Sequence, residues 1–132
     1  MAPAVDPWWI IGSAAVALHG ADPGEVRDID VVLSVADAAR LLPPLGVALT
    51  PGRSDGQFRS AVYNRWTEPP IPVEYMAGFD LMRGGDWRAV VFATREEVRP
   101  GLFLPSRDEL HRLLLDFGRP KDIVRAASLR SA

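Results

Sequence analysis

Short apolar runs separated by turn residues make up most of the chain up to about residue 105. Runs rich in β-branched and aromatic residues predict strands, and apolar residues that recur every three to four positions predict helices. The expected strands span residues 8–11, 28–34, 47–50, 57–66 and 71–76, with further strands near 87–93 and around 101–104. The expected helices span residues 14–19 and 35–42, a segment between Ser106 and Gly118, and a segment from Pro120 to about Leu129. This order predicts an α+β or mixed α/β domain.

Two of these helices have capping signals. Ser13 is placed to cap the first helix, which Gly20 should end. Ser106 and Glu109 have the spacing of a capping box, in which the side chain of each residue bonds to the backbone of the other. The buried face of the helix that follows is expected to comprise Leu110, Leu113, Leu114 and Phe117.

The composition excludes several classes of protein. A length of 132 residues predicts a single domain, residues 1–132. The absence of Cys excludes thiol catalysis, disulfide scaffolds and Cys-based zinc sites. A net charge of −2 argues against general nucleic-acid binding, and no apolar run approaches the ~20 residues that span a bilayer. The first six residues carry no basic side chain ahead of the apolar stretch, so a cytoplasmic protein is expected.

The segment Asp28-Ile29-Asp30 opens a predicted strand. Alternate residues of a strand point the same way, so both carboxylates are expected on one side, with Cβ atoms roughly 6.5–7 Å apart. A hard divalent cation such as Mg²⁺ would offset their repulsion. The alternative is that Arg27 and other arginines neutralise an exposed strand start.

Gly12 and Ser13 lie between the first strand and the first helix. Glycine lets the backbone approach a ligand closely, and the N–H groups at a helix start point towards an anion. The alternative is only a capped helix after a tight turn.

Glu74 lies between Val73 and Tyr75 in a predicted strand and should face away from both. If this strand lies beside that of Asp28 and Asp30, the three acids form one cluster. Otherwise Glu74 belongs to a solvated strand face.

Taken in order, these features resemble the nucleotidyltransferase superfamily typified by DNA polymerase beta. The matching segments are Ile11-Gly12-Ser13, Asp28-Ile29-Asp30 and Val73-Glu74-Tyr75. The stretches IIGSAAVALHG and RDIDVVLS look like the small bacterial branch that includes aminoglycoside nucleotidyltransferases and antitoxin-type relatives. Near the C-terminus, GRPKD (residues 118–122) is similar to an Arg-x-Lys-Asp element of that branch.

The resemblance implies a central mixed β-sheet flanked by helices, with a helical C-terminus. It also implies Mg²⁺-dependent transfer of a nucleoside monophosphate from a nucleoside triphosphate to an unidentified acceptor, either a small molecule or a protein. Asp28, Asp30 and Glu74 would be the catalytic acids and would bind two Mg²⁺ ions. The nucleotide-binding residues would be Gly12, Ser13, Arg119 and Lys121.

Some interpretations stay open at this point. Lys121 could instead pair with Asp122 or another acid, or be solvated, and the same holds for Arg119. The chain could also be a non-catalytic interaction module of this fold, such as a toxin–antitoxin or defence-system component. In favour of this alternative, residues 113–115 are all Leu, in a region where the family usually carries a Lys. A homodimer or a protein partner would fit either function, and a purely structural domain is the third alternative.

Overall fold

The structure, a computed structural model, describes residue 1, residues 3–52 and residues 54–131. Seven strands and four α-helices are formed within these residues. Their order is β1 (Trp9–Ile11), α1 (Gly12–Leu18), β2 (Ile29–Leu33), α2 (Val35–Leu41), a 3₁₀ turn (Pro43–Leu45), β3 (Phe58–Trp66), β4 (Val73–Arg83), β5 (Asp86–Ala89), β6 (Glu96–Arg99), β7 (Leu102–Leu104), α3 (Arg107–Phe117) and α4 (Pro120–Ser131).

Five strands form one sheet in the order β1-β2-β4-β3, and β5 pairs with β4. The β3–β4 pair is antiparallel, with Phe58 opposite Leu81 at one end and Trp66 opposite Val73 at the other. A separate antiparallel pair is formed by β6 and β7. Strands and helices in these proportions confirm the predicted α+β class.

One compact unit comprises Met1–Trp8 and Val31–Val91. Along β3, Ser60 and Val62 are buried while Arg59 and Ala61 are exposed, as expected for a strand with one covered face. Ser34 caps α2 by accepting a hydrogen bond from the Asp37 N–H. The largest apolar side chains buried in this unit are those of Trp8, Leu33, Leu42, Tyr75, Met76, Phe79 and Leu81.

The second unit comprises Trp9–Asp30 and Phe92–Ala132. Here α3 begins after Ser106, whose hydroxyl accepts a hydrogen bond from the Glu109 N–H at 3.2 Å. The helix ends at Gly118, which adopts the left-handed conformation with a φ of 69°. Both boundaries confirm the sequence predictions. The larger apolar side chains buried in this unit are those of Ile10, Ile11, Val16, Leu104, Leu110, Leu114, Phe117 and Leu129.

The strand predictions need three corrections. Residues 47–50 form no regular strand: the Thr50 carbonyl accepts a hydrogen bond from the Tyr63 N–H and the Gly52 N–H donates to the Ser60 carbonyl, but Pro51 between them has no N–H to donate. The strand predicted to end at residue 76 continues to Arg83, because its second half pairs with β3 on one side and β5 on the other. The segment 96–99, which had no strand prediction, pairs with β7.

Both capping predictions are also partly wrong. Helix α1 begins at Gly12, so Ser13 lies inside the first turn, is 7% exposed and makes no capping bond. The φ of 68° at Gly12 turns the chain directly from β1 into α1, so the helix starts two residues earlier than predicted. At α3, the Glu109 carboxylate accepts hydrogen bonds from the Ala93 and Thr94 N–H groups instead of closing the box onto Ser106.

None of the helices in the described part of the chain is long and apolar enough to cross a membrane. The longest, α4, has 12 residues.

Candidate active site

Asp30 lies in β2, directly against the turn that connects β1 to α1. A Cβ built on Gly12 would be 2.6 Å from Oδ2 of Asp30, well inside van der Waals contact. Only glycine therefore allows the backbone at residue 12 to pass this close to the carboxylate, and the positive φ at Gly12 favours the same residue. The close approach brings the two sequence motifs Gly12-Ser13 and Asp28-Ile29-Asp30 together.

Asp28 precedes β2 by one residue and is half-buried, like Asp30. The predicted strand start at residue 28 is thus one residue early. Arg27, which could have neutralised Asp28, forms an ion pair with Glu25 at 3.0 Å, and both of those side chains are strongly exposed.

Glu74 is the second residue of β4, and two side chains of β3 hold its carboxylate. The Tyr63 hydroxyl donates a hydrogen bond to Oε2 at 2.8 Å. The Arg65 guanidinium donates a hydrogen bond to Oε1 and forms an ion pair there. Arg65 lies directly opposite Glu74 in the strand register, and the Glu74 side chain is only 13% exposed. On the other side of β4, burial raises the pKa of the Tyr75 hydroxyl, so Tyr75 stays protonated at neutral pH.

The structure brings the three acids together, which is the first of the two alternatives that the sequence left open for Glu74. One carboxylate oxygen from each of Asp28, Asp30 and Glu74 lies within 4.8 Å of those of the other two. Among the described residues, no other group of three or more metal-ligating side chains is this close. Carboxylate oxygens are the donors that hard divalent cations such as Mg²⁺ prefer, so this donor set fits such an ion.

The segment GRPKD runs from Gly118, where α3 ends, into the first turn of α4. Asp122 is 1% exposed and accepts hydrogen bonds from the Arg119 guanidinium at 2.6 and 3.1 Å and from the Arg119 N–H at 3.2 Å. Arg119, not Lys121, is therefore the partner of Asp122. Lys121 is exposed in the first turn of α4. The structure thus gives these two basic residues of the segment different surroundings.

Tyr63 and Arg65 are functional candidates that the sequence motifs do not indicate. Both lie at alternate positions of the predicted strand 57–66, so they share one face of β3. Their proximity to Glu74 depends on the register between β3 and β4, which the sequence pattern does not specify.

Comparison with known proteins gives a match in structure but none in sequence. No protein-family model and no curated protein sequence matches the chain significantly. Among solved structures, the chain is similar to the crystal structure of a proposed nucleotidyltransferase from Thermotoga maritima, with 22% sequence identity and a TM-score of 0.74. The alignment covers 99% of this chain and 84% of that protein.

The chain has a nucleotidyltransferase-like fold. A similarity over nearly the whole chain confirms the fold expected from the Gly-Ser, Asp-Ile-Asp and Glu74 motifs. The membership of the aminoglycoside or antitoxin branch stays a prediction.

Proposed function

We propose that this protein transfers a nucleoside monophosphate from a nucleoside triphosphate to an acceptor, in a reaction that depends on Mg²⁺. The observation that carries the proposal is the convergence of Asp28, Asp30 and Glu74 within 4.8 Å in a nucleotidyltransferase-like fold. Carboxylate oxygens are the ligands that Mg²⁺ prefers, and one oxygen from each of these three acids lies close enough to the others to share a cation.

Asp28, Asp30 and Glu74 would hold the metal, and we propose two Mg²⁺ ions. When bound, the ions would neutralise charge on the triphosphate and stabilise the attacking and leaving oxygens. As an alternative to ligating the metal, Glu74 would accept a proton from an acceptor hydroxyl, with its carboxylate held in position by Tyr63 and Arg65.

The remaining residues would bind the triphosphate. Gly12 leaves the backbone beside Asp30 free of a side chain, and we propose that Gly12 and the adjacent Ser13 face the phosphates there. We assign the principal cationic contact to Lys121 ahead of Arg119, because the Arg119 guanidinium already binds Asp122 while Lys121 is exposed. The acceptor would be a small molecule or a protein, and a second subunit or partner protein could complete its binding site.

Calorimetric titration with each of the four nucleoside triphosphates in the presence of Mg²⁺ tests the proposal. Binding of at least one triphosphate is expected, together with its loss in the double variant Asp28→Asn/Asp30→Asn. Glu68→Gln, which removes an exposed carboxylate outside the cluster, is the matched control and should bind normally. If the wild-type protein binds no triphosphate, or the double variant binds equally well, the proposed function is wrong.

A non-catalytic interaction module is the second candidate function. It is favoured by apolar side chains exposed on the last two helices: Leu115 is 46% exposed, Ile123 45% and Val124 70%. Exposed apolar side chains mark a protein contact where they form one contiguous patch, and this function requires the three to do so. A stoichiometric protein partner whose binding is lost in Val124→Asp, with no label transfer from α-labelled triphosphates, would favour this function over catalysis.

A further inference from the structure

Arg65 brings a positive charge into direct contact with one of the three clustered acids. Its guanidinium donates to Oε1 of Glu74, directly across the β3–β4 pair. The Glu74 side chain is 13% exposed, whereas that of Arg65 is 49% exposed. The carboxylate is therefore largely shielded from water, while about half of the Arg65 side chain is exposed.

A guanidinium and a divalent cation compete for the same carboxylate charge. Arg65 neutralises Glu74, and it also repels any cation that approaches the cluster. Tyr63, which also donates a hydrogen bond to Glu74, is uncharged, so its hydroxyl orients the carboxylate without opposing a cation. Of these two β3 residues, only Arg65 carries a charge that can lower the affinity of the acidic cluster for a metal ion.

We propose that Arg65 makes metal binding depend on the nucleotide, an inference that rests on the proposed function. In the nucleotide-free protein, the Arg65 guanidinium weakens the binding of divalent cations to Asp28, Asp30 and Glu74. The negative charge of a triphosphate attracts both the cation and the guanidinium, so metal and nucleotide bind with positive coupling. Arg65 is a positioning residue that acts through Glu74.

The test is titration of the nucleotide-free protein with Mn²⁺, followed by the electron paramagnetic resonance signal of the free ion. Arg65→Gln is expected to tighten Mn²⁺ binding roughly tenfold, within the usual range of coupling between sites. Arg65→Lys keeps the charge and should stay close to wild type. A purely structural role for Arg65 predicts weaker binding in Arg65→Gln, which is a change of opposite sign.

The chain offers a matched control on the same two strands. Arg59 lies opposite Asp80 and forms an ion pair with it at 2.7 Å, with the Arg59 side chain 46% exposed. Arg59→Gln therefore removes the same charge from a similar cross-strand pair six residues away, and its Mn²⁺ affinity should equal that of wild type. If circular dichroism shows that Arg65→Gln is unfolded, Arg65→Met, which keeps an apolar stem, replaces it with the same expectation.

The outcomes separate this inference from the proposed function. If Mn²⁺ binds to wild type but not to Asp28→Asn/Asp30→Asn, and Arg65→Gln binds with equal or lower affinity, the role of Arg65 is wrong and the metal site stands. An equal tightening in Arg59→Gln also overturns it, because general charge would then be the cause. If wild type and Arg65→Gln both fail to bind Mn²⁺, the inference and the metal site fail together.

Discussion

Gly12 and Asp30 are in such close contact that no side chain fits between them. A Cβ on Gly12 would lie 2.6 Å from Oδ2 of Asp30, and the Gly12 φ of 68° is one that residues with a side chain rarely adopt. The two residues come from separate motifs, and their contact places the β1–α1 turn against the acidic cluster. The glycine is therefore needed for both the backbone conformation and the position of a candidate metal ligand.

Gly12→Ala is expected to lower the free energy of unfolding by more than the ~1–2 kcal/mol that left-handed strain costs. It should also displace the Asp30 carboxylate and abolish Mn²⁺ binding. Urea unfolding and Mn²⁺ titration measure the two effects. Gly20→Ala is the control, because Gly20 has a φ of 82° and nothing within 4 Å of a built Cβ, so it should show the strain alone. Equal metal binding by Gly12→Ala and wild type would contradict the prediction.

Asp122 is expected to stabilise the start of α4. It is 1% exposed and accepts three hydrogen bonds from Arg119, one of them from the backbone N–H. Asp122→Ala should lower the free energy of unfolding by about 2 kcal/mol, since hydrogen bonds to charged groups contribute about 1.5–3 kcal/mol each and Arg119 can partly rehydrate. Urea denaturation checks this value, and a loss below about 0.5 kcal/mol would show that the pair contributes little.

Lys121 is expected to affect ligand binding and not stability. The side chain is exposed, so Lys121→Gln should change the free energy of unfolding by less than about 0.5 kcal/mol. The affinity for a triphosphate should nevertheless fall several-fold if the ammonium contacts phosphate. Calorimetry measures triphosphate affinity in Lys121→Gln and in a control, Arg88→Gln, which removes an exposed charge from β5. The comparison distinguishes a specific contact of Lys121 with phosphate from a general effect of the protein's net charge. Equal losses in the two variants would argue against the assignment of Lys121.

Glu109 is expected to make stability depend on pH. Burial raises the pKa of its carboxyl, but the Ala93 N–H, the Thr94 hydroxyl and N–H, and Arg112 together hold that pKa below its ordinary value of 4.5. A lowered pKa means that the carboxylate stabilises the protein fully above pH 4.5, and that this contribution is lost as the pH falls from 4.5 through the folded-state pKa.

Glu109→Gln is therefore expected to reduce stability at pH 7 by about 2 kcal/mol, as charged hydrogen-bond acceptors do. The difference from wild type should shrink as the pH is lowered below 4.5. Urea unfolding at pH 7, 5 and 3.5 measures it. Asp108→Asn, an exposed first-turn acid of the same helix, controls for helix charge. A difference that does not vary with pH would contradict the prediction.

Structural features that depend only on residues close together in the sequence could be predicted from the sequence. The Ser106 cap, the Gly118 end and the buried positions 110, 114 and 117 of α3 follow from local hydrogen bonding and a 3.6-residue period. Where a side chain had a choice of partners, prediction was less successful. Glu109 had the right spacing for Ser106, yet it binds residues 93 and 94, which lie 15 or more positions away.

The sequence by itself determined the α+β class and most helix boundaries, and it named Asp28, Asp30 and Glu74 as candidate site residues, because each of these depends on short-range periodicity or on residue type. The tertiary structure alone decided that Gly12 contacts Asp30 and that Arg65 lies opposite Glu74. Strand order and register set these contacts, and they depend on packing between segments that are distant in the chain. A shift of one residue in the β3–β4 register would turn Arg65 to the other face and leave Glu74 without that partner.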